Sequence, residues 1–141
     1  MKNTRLLLIA LFFAFLFAAS SAFAGDICSK LTEDEVSAAV GMPLKRSPTD
    51  PCRFGHAMKS FSIIVHPGSA HDFDGYIANA KKEFPNTEAV NGIGARAIFF
   101  GFNLAVAYKN DVFVVNMFLG SSSAEKIKLS KAVAEKVIAH M

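Results

Sequence analysis

From Leu31 onward, the spacing of apolar and polar positions alternates between helical and strand-like patterns. Leu31-Thr32-Glu33-Asp34-Glu35-Val36 predicts a helix start. Thr32 and Glu35 form a capping box, Leu31 and Val36 a hydrophobic staple, and Gly41 and Pro43 end the helix. Lys45 to Pro51 is polar and reads as a loop. Cys52 to Ala57 and Ser60 to His66 follow as strands, the second placing Phe61, Ile63 and Val65 on one face. A second helix is predicted from Ala70 to Phe84 with the stripe Phe73, Ile77, Ala80 and Phe84. Pro85 ends it.

Three strands come next: Arg96 to Phe100, Leu104 to Tyr108 and Val112 to Leu119. A three-residue turn, Gly101-Phe102-Asn103, is predicted between the first two. Asn110-Asp111 is predicted between the second and third. Val112-Phe113-Val114-Val115 is apolar on both faces, which predicts a central strand. Ser122 and Glu125 then read as a second capping box. Ile127, Ala134, Val137, Ile138 and Met141 form the buried side of the final helix, and Lys126, Lys128, Lys131 and Lys136 its wet side. The order α-β-β-α-β-β-β-α, with a further short strand near Val90, predicts an α+β fold: an antiparallel sheet of about five strands packed with three helices.

The first residues change the setting. Lys2 and Arg5 precede an apolar run from Leu6 to Ala19, and Ala22-Phe23-Ala24 is a small-x-small site. Residues 1–24 thus read as a cleavable signal peptide, leaving 25–141 as a single domain with no stable membrane span. The expected address is periplasmic or secreted, in a bacterium. Without Lys2 and Arg5, 13 basic residues face 12 acidic ones. That near balance gives no footprint for nucleic acid. In an oxidising compartment Cys28 and Cys52 read as a disulfide, not as a redox pair or metal site, because no C-x-x-C is present and no histidine is close in sequence.

Cys28-Ser29-Lys30-Leu31-Thr32 with Glu35, then Cys52-Arg53-Phe54, then Val90-Asn91-Gly92-Ile93-Gly94-Ala95-Arg96-Ala97 resemble a group of small exported bacterial proteins of unknown function, many of them lipoproteins. That group carries a C-x-L-L-T-x-x-E opening, a second Cys before an aromatic residue, and a V-x-G-I-G-x-x-A segment. The resemblance implies the disulfide and the α+β layout. It implies no catalytic residues. This chain lacks a Cys directly at its cleavage point, so lipid attachment does not carry over.

Candidate chemistry is sparse. Gly92-Ile93-Gly94-Ala95-Arg96-Ala97 fits the G-x-G-x-x-A dinucleotide pattern, but a strand follows it where a helix is required, so it reads as a glycine bend and no cofactor is implied. His66, His71 and Asp72 are the residues a metal would use, at a spacing unlike that of zinc sites; His56 and His140 stand alone. With the three-residue turn, Arg96, Ile98 and Phe100 share a face with Leu104, Val106 and Tyr108, and Arg96 lies over the Tyr108 ring. Ala105, Ala107, Val114, Phe99 and Phe118 then form a small-residue floor with aromatic edges, joined by Phe102 at the hairpin tip. Such a face either receives a helix or binds a ligand. The expectation is an exported non-catalytic domain that binds another envelope protein or a small apolar ligand there. The alternatives are a metal-binding protein using His66 and His71, and a small envelope hydrolase.

Overall fold

A computed structural model describes residues 26–141 apart from Ala57. The segment 1–24, expected to be a signal peptide, and residue 25, the expected start of the domain, lie outside the described residues. The chain folds as an α+β domain around a seven-stranded antiparallel sheet, with four helices among the described residues. The helices are α1 (residues 26–30), α2 (Glu33–Val40), α3 (Phe73–Glu83) and α4 (Ser123–Ala139). The strands are β1 (Lys45–Arg46), β2 (Arg53–His56), β3 (Lys59–His66), β4 (Thr87–Ala89), β5 (Arg96–Phe100), β6 (Asn103–Tyr108) and β7 (Asp111–Met117). Their order across the sheet is β1-β2-β3-β7-β6-β5-β4, which puts β7 in the middle as its two-sided apolarity requires.

The expected sheet of about five strands and three helices is corrected to seven strands and four helices; β4 is the further short strand expected near Val90. The added strand β1 falls in the segment read as a polar loop. It is held from outside: the Glu33 carboxylate of α2 accepts from the Arg46 backbone N–H and from Lys45 Nζ, both at 2.8 Å. The added helix α1 is anchored by the Cys28–Cys52 disulfide, as expected, and by Arg46. That guanidinium donates to the carbonyls of Cys28 (2.7 Å), Leu31 and Pro51, and lies 4.6 Å from the Phe54 ring centroid.

The capping box of α2 is present: Thr32 Oγ1 accepts from the Glu35 N–H, and the Glu35 carboxylate from the Thr32 N–H. At α4, Ser122 caps Glu125 as expected. The return bond lands one residue earlier, however, with Ser121 N–H and Oγ donating to Glu125.

The sheet separates two cores. On one face α4 and α2 cover Phe61, Ile63, Leu104, Val106, Phe113, Val115 and Met117. Val133, Ala134 and Val137 of α4 are completely shielded there, and so is Ser130, which the hydropathy pattern had not placed inside. Lys131, read as solvated, donates to the Asn91 carbonyl at 2.9 Å. On the other face α3 lays Phe73, Tyr76, Ile77, Ala80 and Phe84 over Ile98, Phe100, Ala105, Ala107, Val112 and Val114. The α3 stripe is the one its period predicts, although residues Ala70–Asp72 form a 3-10 turn before the α-helix begins.

The β5–β6 hairpin differs from expectation by one residue. Its turn has two residues, Gly101 and Phe102, so Phe100 pairs with Asn103 and Phe99 with Leu104. Gly101 sits at φ 59°, the left-handed first position of a II′-type hairpin turn, which glycine adopts without steric cost. A one-residue slip exchanges the two faces of a strand. Phe99 and Ala97 therefore join the α4 side, and Ile98 and Phe100 the α3 side. Arg96 does not meet Tyr108. It pairs with Asp74 at 2.7 Å and lies 5.3 Å from the Phe73 ring centroid.

Candidate functional site

The proposed binding face is dispersed by this arrangement. Phe99 is buried under α4, and Ala105, Ala107 and Val114 are buried under α3. The small-residue floor is thus the seat of a helix. Phe102 and Phe118 are brought together: their ring centroids are 4.7 Å apart and Phe118 is 49% exposed.

Their meeting point follows from the register. The β5–β6 turn, the β2–β3 turn and the exit of β7 all lie at one end of the sheet, since Asn103 pairs with Asn116 and Phe61 with Met117. The Met117 N–H donates to the Phe102 carbonyl at 2.7 Å, locking the hairpin tip to β7 just before Phe118. Phe118 N–H donates to the Ser60 carbonyl, which extends the β3–β7 ladder by one residue.

Alternation along β7 puts Phe118 on the same face as Val112, Val114 and Asn116, the α3 face. Helix α3 packs over β5, β6 and part of β7 and leaves the β3 side of that face uncovered. There Ile64, opposite Val114, is 45% exposed. Met58, in the β2–β3 turn at the same end, is also exposed. These three are the exposed large apolar side chains among the described residues, and all sit on this face or at this end.

Across the same face runs a polar row. Ser62 pairs with Asn116, Asn116 with Asn103, and Asn103 with Phe100. Ser62 is half-buried, and Asn103 is 8% exposed. The Oδ1 atoms of both Asn103 and Asn116 are shut off from solvent and accept no hydrogen bond. Sequence reasoning missed both residues. Asn103 looked like a turn residue. Asn116 carried a signal that went unused: it is the one polar residue in the otherwise apolar stretch Val112 to Leu119.

Two surface clefts flank the sheet. One of about 470 Å³ lies between α3 and the segment leading into β5, with Phe73, Ile77, Lys81 and Arg96 in its wall. The glycine-rich segment that lines it runs into strand β5, so it has the form of a bend. The other, about 330 Å³, adjoins Phe118 and is lined by Val40, Met42, Leu119 and Leu129, with Lys59 and Glu125 at hand. Hydrogen bonds from the Ser121 backbone and hydroxyl hold the Glu125 carboxyl below its ordinary range, with smaller help from Lys59.

The metal set is not assembled. His66 ends β3 and faces the Tyr76 ring at 6.1 Å, His71 Nδ1 contacts the Gly68 carbonyl at 2.6 Å, and the Asp72 carboxylate lies against Gly75. Among the described residues no group of three His, Cys, Asp or Glu side chains is placed to hold a metal ion. His140, expected to stand alone, reaches the Glu35 carboxylate at 3.3 Å and joins the end of α4 to the start of α2. No helix among the described residues is long and apolar enough to cross a membrane.

Fold and site together define a three-layer α+β domain with an aromatic pair at one end of its sheet. No family model, no curated protein and no solved structure matches the chain.

Proposed function

We propose that this chain is a non-catalytic binding module, exported to an oxidising compartment, that engages its ligand at the sheet end where Phe102 and Phe118 meet. The observation that carries this reading is the exposure of Phe118, whose ring meets that of Phe102, while the phenylalanines within the strands, Phe54, Phe61, Phe99, Phe100 and Phe113, are buried. An aromatic pair fixed by backbone bonds offers apolar contact area at little entropic cost, which is what binding surfaces use. Both interlayer spaces are filled by the domain's own side chains, so the reading favours surface recognition over an enclosed apolar chamber. The buried disulfide supports the oxidising compartment, and the short motifs shared with small exported bacterial proteins point the same way.

The test is site-specific photo-cross-linking in the producing cells. A photoreactive phenylalanine analogue at position 118 should give one discrete adduct, whose mass tells a macromolecular partner from a small ligand. The same probe at Lys136, on α4, should give none. Equal or absent labelling at the two positions would remove the basis of the proposal.

A further inference from the structure

We infer that the cleft beside α3 is a second binding site, and that it takes a small organic anion: an apolar body with one carboxylate or phosphate head. This site goes beyond the recognition surface at Phe118 and does not depend on it.

Three pieces of the chain build the cleft. Phe73, Ile77 and Lys81 follow one another at intervals of four on α3 and so share one helix face. Thr87 of β4 and Ile98 of β5 come from the sheet, and the segment from Val90 to Ala95 completes the wall. The volume, about 470 Å³, is that of a small-molecule site. From Phe73 to Lys81 the helix rises about 12 Å, and an extended octanoate is of similar length. Phe73, Ile77 and Ile98 supply the apolar wall for such a body.

Charge decides the ligand class. Lys81 and Arg96 are the charged side chains of the wall, and both are cationic. Glu88 lies between Thr87 and Ala89, which both line the cleft, but alternation turns it to the opposite face of β4. Arg96 is partly committed: its guanidinium donates to Asp74 at 2.7 Å and lies over the Phe73 ring. Lys81 has no ion pair or hydrogen bond among the described residues. The wall thus keeps one unanswered positive charge, which a single anionic head complements. An amine would be repelled there, and a neutral molecule would leave Lys81 without a counter-ion.

The backbone favours the same sign. The Val90 and Ala95 N–H groups donate to the Ala97 and Ala107 carbonyls, and those of Asn91 to Gly94 between them bond to no other described residue. Gly92 and Gly94 have φ of 76° and 60°, with Ile93 at negative φ between them. Alternation of this kind turns successive N–H groups toward one concave side, a surface that attracts anions.

The test is NMR and calorimetric titration of the purified protein with octanoate and octyl phosphate, which separate the two head groups, and with octanol and octylammonium as neutral and cationic counterparts. The expected result is saturable binding of at least one of the two anions, with amide shifts centred on Ile77 and on Gly92 to Gly94. Lys81→Met should weaken it about fivefold or more, and Ala89→Asp, which puts an acid in the wall, should abolish it. Lys82→Met is the control, because Lys82 is outside the cleft and donates to Asn79; it should change nothing. Octanol or octylammonium binding as tightly as the anions, affinity unmoved by Lys81→Met, shifts centred elsewhere, or no saturation at millimolar concentration would each overturn the assignment. Phe118→Ala should leave the titration intact, so this site and the recognition surface fail separately.

Discussion

Reduction of the Cys28–Cys52 bond should be the most damaging mild perturbation of this domain. The cross-link closes a loop of sequence separation 24 between α1 and the segment entering β2. Loop-closure entropy for that length gives about 3.5 kcal/mol of stabilisation through the unfolded chain. For a domain of this size, unfolding entropy converts that figure to a fall of roughly 14 °C in melting temperature. The native contacts give a reason to expect a loss of this kind without local collapse. Cys28 is completely buried and Cys52 nearly so, and Arg46 holds the carbonyls of Cys28, Leu31 and Pro51 whether or not the sulfurs are joined. Reduced protein should therefore remain folded at room temperature with an unchanged circular dichroism spectrum. Removing the second tie as well, by Arg46→Met under reducing conditions, should detach α1. The assay is thermal melting with and without reductant, with complete reduction verified by alkylation and intact mass. A melting temperature unmoved by full reduction would refute the reasoning, since it would mean that the bond constrains nothing in the unfolded chain.

Three further outcomes follow from the packing. Ser130→Ala should stabilise by about 1 kcal/mol, because the buried Ser130 hydroxyl has no partner and alanine is the better helix former; a lower melting temperature would show that the hydroxyl is satisfied. Gly94→Ala should cost about 2 kcal/mol or more, because φ is 60° and a Cβ there would lie 2.5 Å from Val106 Cγ1 and 2.6 Å from the Ala107 carbonyl oxygen; denaturant titration measures it. Acid should destabilise the fold. Lys45 and the Arg46 N–H lower the pKa of Glu33, the Thr32 N–H and then His140 that of Glu35, and Arg96 that of Asp74. A carboxyl lowered in the folded state contributes stability in full above the unfolded value of about 4 and loses it as pH falls through the folded one. Melting temperature should thus be flat from neutrality to about pH 5 and decline below, and a rise on acidification would contradict the sign.

How much of this was legible in the sequence depends on how local each cause is. The capping box at Thr32 and Glu35, the α3 stripe and the centrality of β7 follow from neighbouring residues, and each stands where its pattern put it. β1 was invisible because its two residues, Lys45 and Arg46, are polar and are held in the sheet by Glu33 from another element. α1 depends on the disulfide and on Arg46 in the same way. The candidate face failed at one point: whether Asn103 belongs to the turn or to β6. Phe100 pairs with Asn103, and that single residue decided which face Phe99 occupies. The aromatic pair survived because Phe102 and Phe118 sit at strand ends, where a change of register moves them least.

The seam between β3 and β7 has a consequence for how the chain reaches this state. Phe61 pairs with Met117 and His66 with Val112, so the middle of the sheet joins residues about fifty positions apart. Pairings of such high contact order must wait until the late part of the chain is available, and closing so long an interval is slow. A nascent polypeptide that has not yet released β7 holds two incomplete meanders with exposed edges and no place for α4 to dock. For a chain exported as proposed, passage in an unfolded state and the onset of structure only after its C-terminal third emerges are therefore compatible demands, met by one topological choice.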